Sequence, residues 1–266
     1  IERLMPLPSQ IYLWDQRTLY IGPLSETLNL SQGAATLLVS LDKPVTFKTP
    51  EMEHPQECHS LLLPPGLNIS IDTRHAIITN CNLDPMGSDF AAFTEQMSNE
   101  CNKVKFNLKD VSLFKDKYQS IYENQMDTTE AYDALKTLIE YAVERQQLPH
   151  KIDPRILSVV EKIKSNVDDN LSIESLAESI NLSVPRLVQL FKIQTGIPVR
   201  RYRLWHRLFV TAIYIGKGNS LIDAAVAAGF SDSAHFTTTF LAMLGLTPTS
   251  IILRPNSLKF NLPRSS

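Results

Sequence analysis

The stretch Leu221-Ile222-Asp223-Ala224-Ala225-Val226-Ala227-Ala228-Gly229-Phe230-Ser231-Asp232-Ser233-Ala234-His235-Phe236 decides how the rest of the chain is read. Its first eight residues put Leu221, Ala224, Ala225 and Ala228 on one helical face. Gly229-Phe230-Ser231 then breaks the helix, and the glycine suits the left-handed backbone that such a turn needs. Asp232 or Ser231 caps a second helix, Ser233–Leu244, whose Phe236 and Phe240 point inward. Two short helices joined in this way form a helix-turn-helix. Its second helix has the girth to enter a groove about 12 Å wide.

Upstream, Leu171 to Gly196 repeats the plan. Ser172 caps a helix that buries Leu176, Ala177 and Ile180. Asn181-Leu182-Ser183 is the turn, and Ser183 caps a second helix with Leu187, Leu190 and Phe191 inside. Small Ala177 lets the two helices cross closely. Between the units Val199–Ile215 reads as one long helix. Two reading helices joined in this way can enter successive major grooves about 34 Å apart.

Residues Asp153 to Ser250 strongly resemble the DNA-binding domain of the AraC/XylS family of bacterial regulators. The resemblance rests on Ala225 to Phe236, then Phe240, Gly245, Thr247 and Pro248. It rests equally on Leu190-Phe191-Lys192, Gly196, Pro198, Tyr202, Arg207 and Ala212, with Asp153-Pro154-Arg155-Ile156 as entry. It implies that the first reading helix presents Pro185, Arg186, Val188, Gln189 and Lys192 to double-stranded DNA. Gln189 can pair with adenine, and Arg186 with guanine or phosphate. Arg200, Arg201, Arg203 and Arg207 would lie on or near the linking helix, the first three within reach of phosphates. Arg207 reads rather as structural, beside a hydrophobic stripe. The second helix would present Ser233, Ala234, His235, Thr237 and Thr238, with His235 equally suited to packing or capping.

The second unit departs from the family. No Lys or Arg lies between Ser231 and Leu244, and Leu241-Ala242-Met243-Leu244 stand where the family carries basic residues. Ile251-Ile252 replace its closing Tyr-Arg. The first unit is therefore expected to dominate sequence reading. An exposed Leu241/Met243 patch would suit a protein partner, such as RNA polymerase. The phenylalanines 191, 230, 236 and 240 are expected in the core.

The other half has a different grammar. Ile11–Trp14, Thr18–Ile21, Ala35–Leu41, Val45–Lys48, Ser60–Leu63, Asn68–Ile71 and Ala76–Thr79 are short apolar runs. Gly22-Pro23, Asp42 to Pro44 and Pro64-Pro65-Gly66 punctuate them, as in an all-β barrel or sandwich. Helical periodicity follows in Phe90, Phe93, Met97 and Cys101, then in Val111, Phe114, Tyr118 and Tyr122. A third helix, capped by Thr128 or Thr129, carries Tyr132, Leu135, Leu138, Ile139 and Ala142. That stripe either dimerises or covers the barrel; family resemblance favours a homodimer.

The fold class expected is α+β with two domains: an N-terminal cupin-like β-barrel with trailing helices, and a C-terminal all-α domain with two helix-turn-helix units. The boundaries read 1–86 for the barrel, 87–147 for its helices, 148–153 for a proline-bounded linker, 154–254 for the DNA-binding domain and 255–266 for a tail. Architecture alone, with Trp14, Tyr20 and the turn at Leu62 to Gly66, likens the first half to that family's sensor domain.

Charge follows the same division. Residues 1–150 hold 12 Lys and Arg against 20 Asp and Glu, while 151–266 hold 14 against 8. A basic half on an acidic half fits a polyanionic partner for one end only. At 43% hydrophobic residues, with no apolar run near about 18 residues, the chain reads as globular and not membrane-spanning. Ile1 to Gln10 does not read as a secretory signal, although residues can precede Ile1. Cys58, Cys81 and Cys101 lack CxxC spacing, which fits a reducing cytoplasm.

Catalysis finds little footing. A metal-holding cupin needs a His-x-His pair, a Glu and a distant His, and the sequence lacks that set. Glu51, Glu53, His54, Glu57, Cys58 and His59 form the nearest cluster, flanked by Pro50 and Pro55 as in a solvated loop. No nucleophile elbow is present. The expectation is a non-enzymatic transcription regulator, an activator, needing no cofactor and answering to an apolar or weakly polar effector in the barrel. The alternatives are a regulator with a filled barrel, controlled by abundance or a protein partner, and a metal-dependent cupin enzyme with a DNA-binding appendage.

Overall fold

The computed structural model describes residues 7–14, 17–24, 27–31, 33–84, 88–145, 152–167, 171–244, 248 and 258–261. Most of the expected linker, with Gly245, Thr247, Ile251 and Ile252, lies outside these residues. The N-terminal half begins with nine strands: β1 (Ser9–Leu13), β2 (Thr18–Pro23), β3 (Leu28–Leu30), β4 (Thr36–Ser40), β5 (Val45–Lys48), β6 (Gln56–Cys58), β7 (Ser60–Leu63), β8 (Ile69–Asp72) and β9 (Ile77–Asn82). Then come α1 (Asp89–Gln96), β10 (Met97–Cys101), β11 (Val104–Leu108), α2 (Val111–Glu123) and α3 (Thr128–Val143). The C-terminal half holds α4 (Pro154–Ser165), α5 (Ile173–Glu178), α6 (Val184–Thr195), α7 (Val199–Gly216), α8 (Leu221–Ala227), α9 (Ser233–Leu244) and β12 (Leu258–Asn261).

The strands make two sheets, ordered β10-β11-β7-β4-β9-β2-β1-β12 and β3-β8-β5-β6. Between them Leu28, Leu38, Phe47, Leu61, Ile71 and Phe106 pack into one cluster. The large sheet's opposite face sets Tyr12, Leu19, Leu37, Val39 and Leu62 against Phe93, Phe114, Tyr118 and Leu135 of the helices. This explains why β4 and β7 are buried at every position. Alternate residues of these two strands serve alternate cores.

Several expectations change. Gly22-Pro23 continues β2, paired with Ile78 and Ile77, because a proline is tolerated where a strand ends. The helical face read from Phe90 to Cys101 stops at Gln96, and Met97–Cys101 turns back as a hairpin strand. Asn102 and Lys103 both take positive φ there, which closes the hairpin onto β11. The segment 87–147 is thus not all helix. The cap of α3 is Asp127, whose carboxylate accepts from the Thr129 and Glu130 N–H groups while Glu130 accepts from Asp127. A two-sided capping box outweighs a single threonine hydroxyl.

Candidate nucleic-acid interface

The two helix-turn-helix units close their turns with the same hydrogen bond. In the first, the Leu182 N–H donates to the Ala177 carbonyl at 3.0 Å; in the second, Phe230 donates to Ala225 at 3.0 Å. The residue before each donor has positive φ, 54° at Asn181 and 82° at Gly229. This is a Schellman closure, met by asparagine once and by glycine once. Gly229 has a further reason: a Cβ there would lie 2.7 Å from the Val167 carbonyl oxygen and 3.2 Å from Arg207 Nε. Arg207 packs on that turn, consistent with a structural role.

Each unit has its own core. Phe191 lies edge-on to Tyr202, with Ile156, Leu176, Ala177 and Leu187 around them. Phe230, Phe236 and Phe240 pack with Leu208, Ala225 and Ala228. Ser172 and Ser220 cap α5 and α8 by accepting from Ser175 and Asp223 N–H groups. Asp232 caps α9 through the His235 N–H at 2.7 Å. Ser183 holds the cap position of α6 without a side-chain bond.

Burial aligns the reading helices. Leu187 matches Phe236 and Phe191 matches Phe240, all buried. Arg186, Gln189 and Lys192 then fall opposite His235, Thr238 and Leu241. Pro185, Arg186, Val188, Gln189 and Lys192 are all exposed on one side of α6. Arg186 donates to the Gln189 side-chain oxygen at 2.9 Å, so these two exposed side chains touch one another across one turn of α6. On α9, Ser233, Ala234, Thr237 and Thr238 are exposed. His235 is half-buried, edge-on to Phe230 with its Nδ1 3.2 Å from the Ser231 hydroxyl.

The linking helix is placed otherwise than its sequence implied. Arg200 is exposed, but Arg201 donates to the Ser31 carbonyl and hydroxyl of the N-terminal domain. Arg203 is half-buried, and burial followed by the charge of Arg207 lowers its guanidinium pKa. Trp205 fits against Gly33, where a Cβ would come within 2.7 Å of the Trp205 Cβ. The far domain covers this side of α7, a fact no helical pattern records. Met243 is only 4% exposed, in the core, while Leu241 remains 48% exposed. Leu241 and Ala242 line a cleft of about 440 Å³ with Leu30, Lys48, Ile69 and Ser70 of the smaller sheet.

The stripe on α3 is spent within the chain. Leu135, Leu138, Ile139 and Ala142 are buried in the chain's own core, and half-buried Tyr132 packs at 5.4 Å on Trp14. The outer face of α3 carries Asp133, Lys136 and Glu140. The acidic segment also disperses: Glu51, Glu53 and His54 are at the surface, Cys58 points inward, and His59 meets Lys115 at 3.0 Å. Among the described residues no group of three His, Cys, Asp or Glu side chains is placed to hold a metal ion, and no helix is long and apolar enough to cross a membrane.

Residues 176–253 match a family model described as a helix-turn-helix domain. Two curated relatives, both named HTH-type transcriptional activator RhaS, come from Escherichia coli O139:H28 (strain E24377A / ETEC) and strain SE11. Each is 26% identical over 133 residues, 48% of this chain and 48% of its own. The chain thus spans about half the length of the curated relatives it matches. Among solved structures, ToxT from Vibrio cholerae O395 aligns with TM-score 0.59 at 11% identity, covering 89% of this chain and 97% of its own. A wild-type ToxT structure with bound unsaturated fatty acid, from strain SCE256, aligns with TM-score 0.55 at 11% identity over 90% and 95%. At that identity the likeness speaks for the two-domain fold alone.

Proposed function

We propose that this chain is a sequence-specific DNA-binding transcription regulator of the AraC type, an activator whose affinity for DNA answers to a small effector. The observation that carries the DNA reading is the exposed, cationic and polar side of α6, held on a packed helix-turn-helix. Arg186, Gln189 and Lys192 are its readers, with Arg200 as a phosphate contact. Ser233, His235, Thr237 and Thr238 supply a weaker second contact. Activation is the sign supported by the names of the RhaS relatives.

The effector reading moves from the barrel interior to its edge. The space between the sheets is occupied by side chains. The cleft shared with α9 has the volume of a small-molecule site, an apolar floor and one lysine. The fatty acid held by ToxT supports an apolar effector. The packed interior equally favours the second reading, a regulator governed by abundance or a protein partner. An enzyme finds no support in the dispersed acidic segment.

Selection of bound duplexes from a random library tests the DNA reading. The expected result is one enriched motif whose binding weakens steeply with salt. Failure to retain any duplex at low salt would refute it. Native mass spectrometry of the freshly purified chain would show a retained small molecule if the cleft is an effector site.

A further inference from the structure

The strand β12 lies at the end of the DNA-binding half, yet it pairs with the N-terminal domain. It runs parallel to β1, with Ser9, Gln10, Ile11 and Tyr12 opposite Leu258, Lys259, Phe260 and Asn261. Among the described residues every other strand pairing is antiparallel. Asn261 is buried and its side-chain nitrogen donates to the Ile11 carbonyl at 3.4 Å. Without β12, β1 would present the open edge of the large sheet.

We propose that β12 is an intramolecular latch, which by pairing with β1 holds the second helix-turn-helix unit against the acidic sensor domain and keeps DNA affinity low. Three features support this. The latch adds to contacts that already draw the halves together: Arg201 on Ser31, Trp205 on Gly33, and Leu241 lining one cleft with Leu30. It has a definite electrostatic sign. The sensor half carries 20 acidic against 12 basic side chains, and holding it beside the basic half opposes the approach of phosphates within about one Debye length, roughly 10 Å. It is also weak enough to open. A four-residue strand is marginal alone, and its place in the same chain together with the contacts above gives it a high effective concentration.

The latch rests on the DNA-binding reading, so its test carries a separate outcome for each. In the full chain, Lys259→Pro with Phe260→Pro removes an N–H on each edge of the strand, so at least one that can face β1. Lys259→Ala, at an exposed position, is the control. Hydrogen exchange of the Ile11 and Tyr12 amides reports pairing, and a mixed-sequence duplex at low salt reports binding. If the open state is about a tenth of the population, the proline pair speeds exchange and tightens DNA binding about tenfold, while the alanine does neither. A complementary disulfide, Ser9→Cys with Leu258→Cys, should weaken binding when oxidised and restore it when reduced.

Unchanged exchange in the proline pair would refute the pairing. Faster exchange with unchanged or weaker DNA binding would refute the latch. If the unmodified chain and both variants fail to bind duplex at low salt, the DNA reading falls first and the latch with it.

Discussion

The two helix-turn-helix units share a scaffold and differ in surface. Both close their turns by an N–H five residues on from a buried alanine, and both pack aromatic side chains behind the reading helix. Yet Arg186, Gln189 and Lys192 on α6 face outward where α9 has His235, Thr238 and Leu241. Packing and surface chemistry are therefore set by different residues of the same twelve-residue helices. A domain can retain the first while altering the second.

The largest expected effect tests the shared scaffold. Phe191→Ala and Phe236→Ala each empty a fully buried site and should each cost about 3–5 kcal/mol, measured by denaturant unfolding. A loss below about 1 kcal/mol at Phe236 alone would mean that the second core is not packed like the first. Next comes recognition. Gln189→Ala should reduce discrimination between a selected duplex and its adenine-substituted variants by about 1–3 kcal/mol, leaving binding to mixed-sequence DNA nearly unchanged. Thr237→Ala and Thr238→Ala should each change affinity less than Arg186→Ala, and the reverse ranking would break the asymmetry.

Restoring charge sharpens the comparison from the other side. Leu241→Lys puts a cation where α6 has Lys192, and should steepen the salt dependence of binding by about one unit of slope. An unchanged slope would mean that this position faces away from DNA. The smallest effect concerns pH. The Asp232 carboxyl is held below its ordinary range by the His235 N–H, then by the Ser231 hydroxyl. Its folded pKa is depressed, so the stabilisation is present above the ordinary value of about 4 and lost as pH falls through the folded one. Ser183, at the cap position of α6, makes no side-chain cap bond that acid could remove. Amides at the start of α9 should therefore exchange faster in acid, while those of α6 do not.

Much of this was legible in the sequence because it is local. Ser172 and Asp232 read as caps, Gly229 as a left-handed turn, and Leu187, Phe236 and Phe240 as core; each depends on neighbours a few residues away. The strands Val45–Lys48 and Ser60–Leu63 declared themselves by apolar runs between prolines. Missed features depend on distant partners or atypical turns. β10 exposes Ser98, Asn99 and Glu100 and has no alternation to read. Its turn uses Lys103 at positive φ, where glycine is the usual signal. The stripe on α3 was visible, but not what it covers. Arg201 looks like a phosphate contact until Ser31, 170 residues away, is placed beside it. β12 carries four residues that pair with β1 at the other end of the chain.

The unequal reading of DNA by two equal scaffolds is tested most directly by substituting, one at a time, every base pair of a duplex selected by the full chain and measuring binding at fixed salt. The account predicts that losses of about 1–3 kcal/mol cluster in one major-groove stretch, and that those at its adenines vanish in Gln189→Ala. The second stretch, about one helical turn away, should show smaller losses that Thr238→Ala scarcely alters. Equal losses in both stretches, or losses untouched by Gln189→Ala, would contradict it.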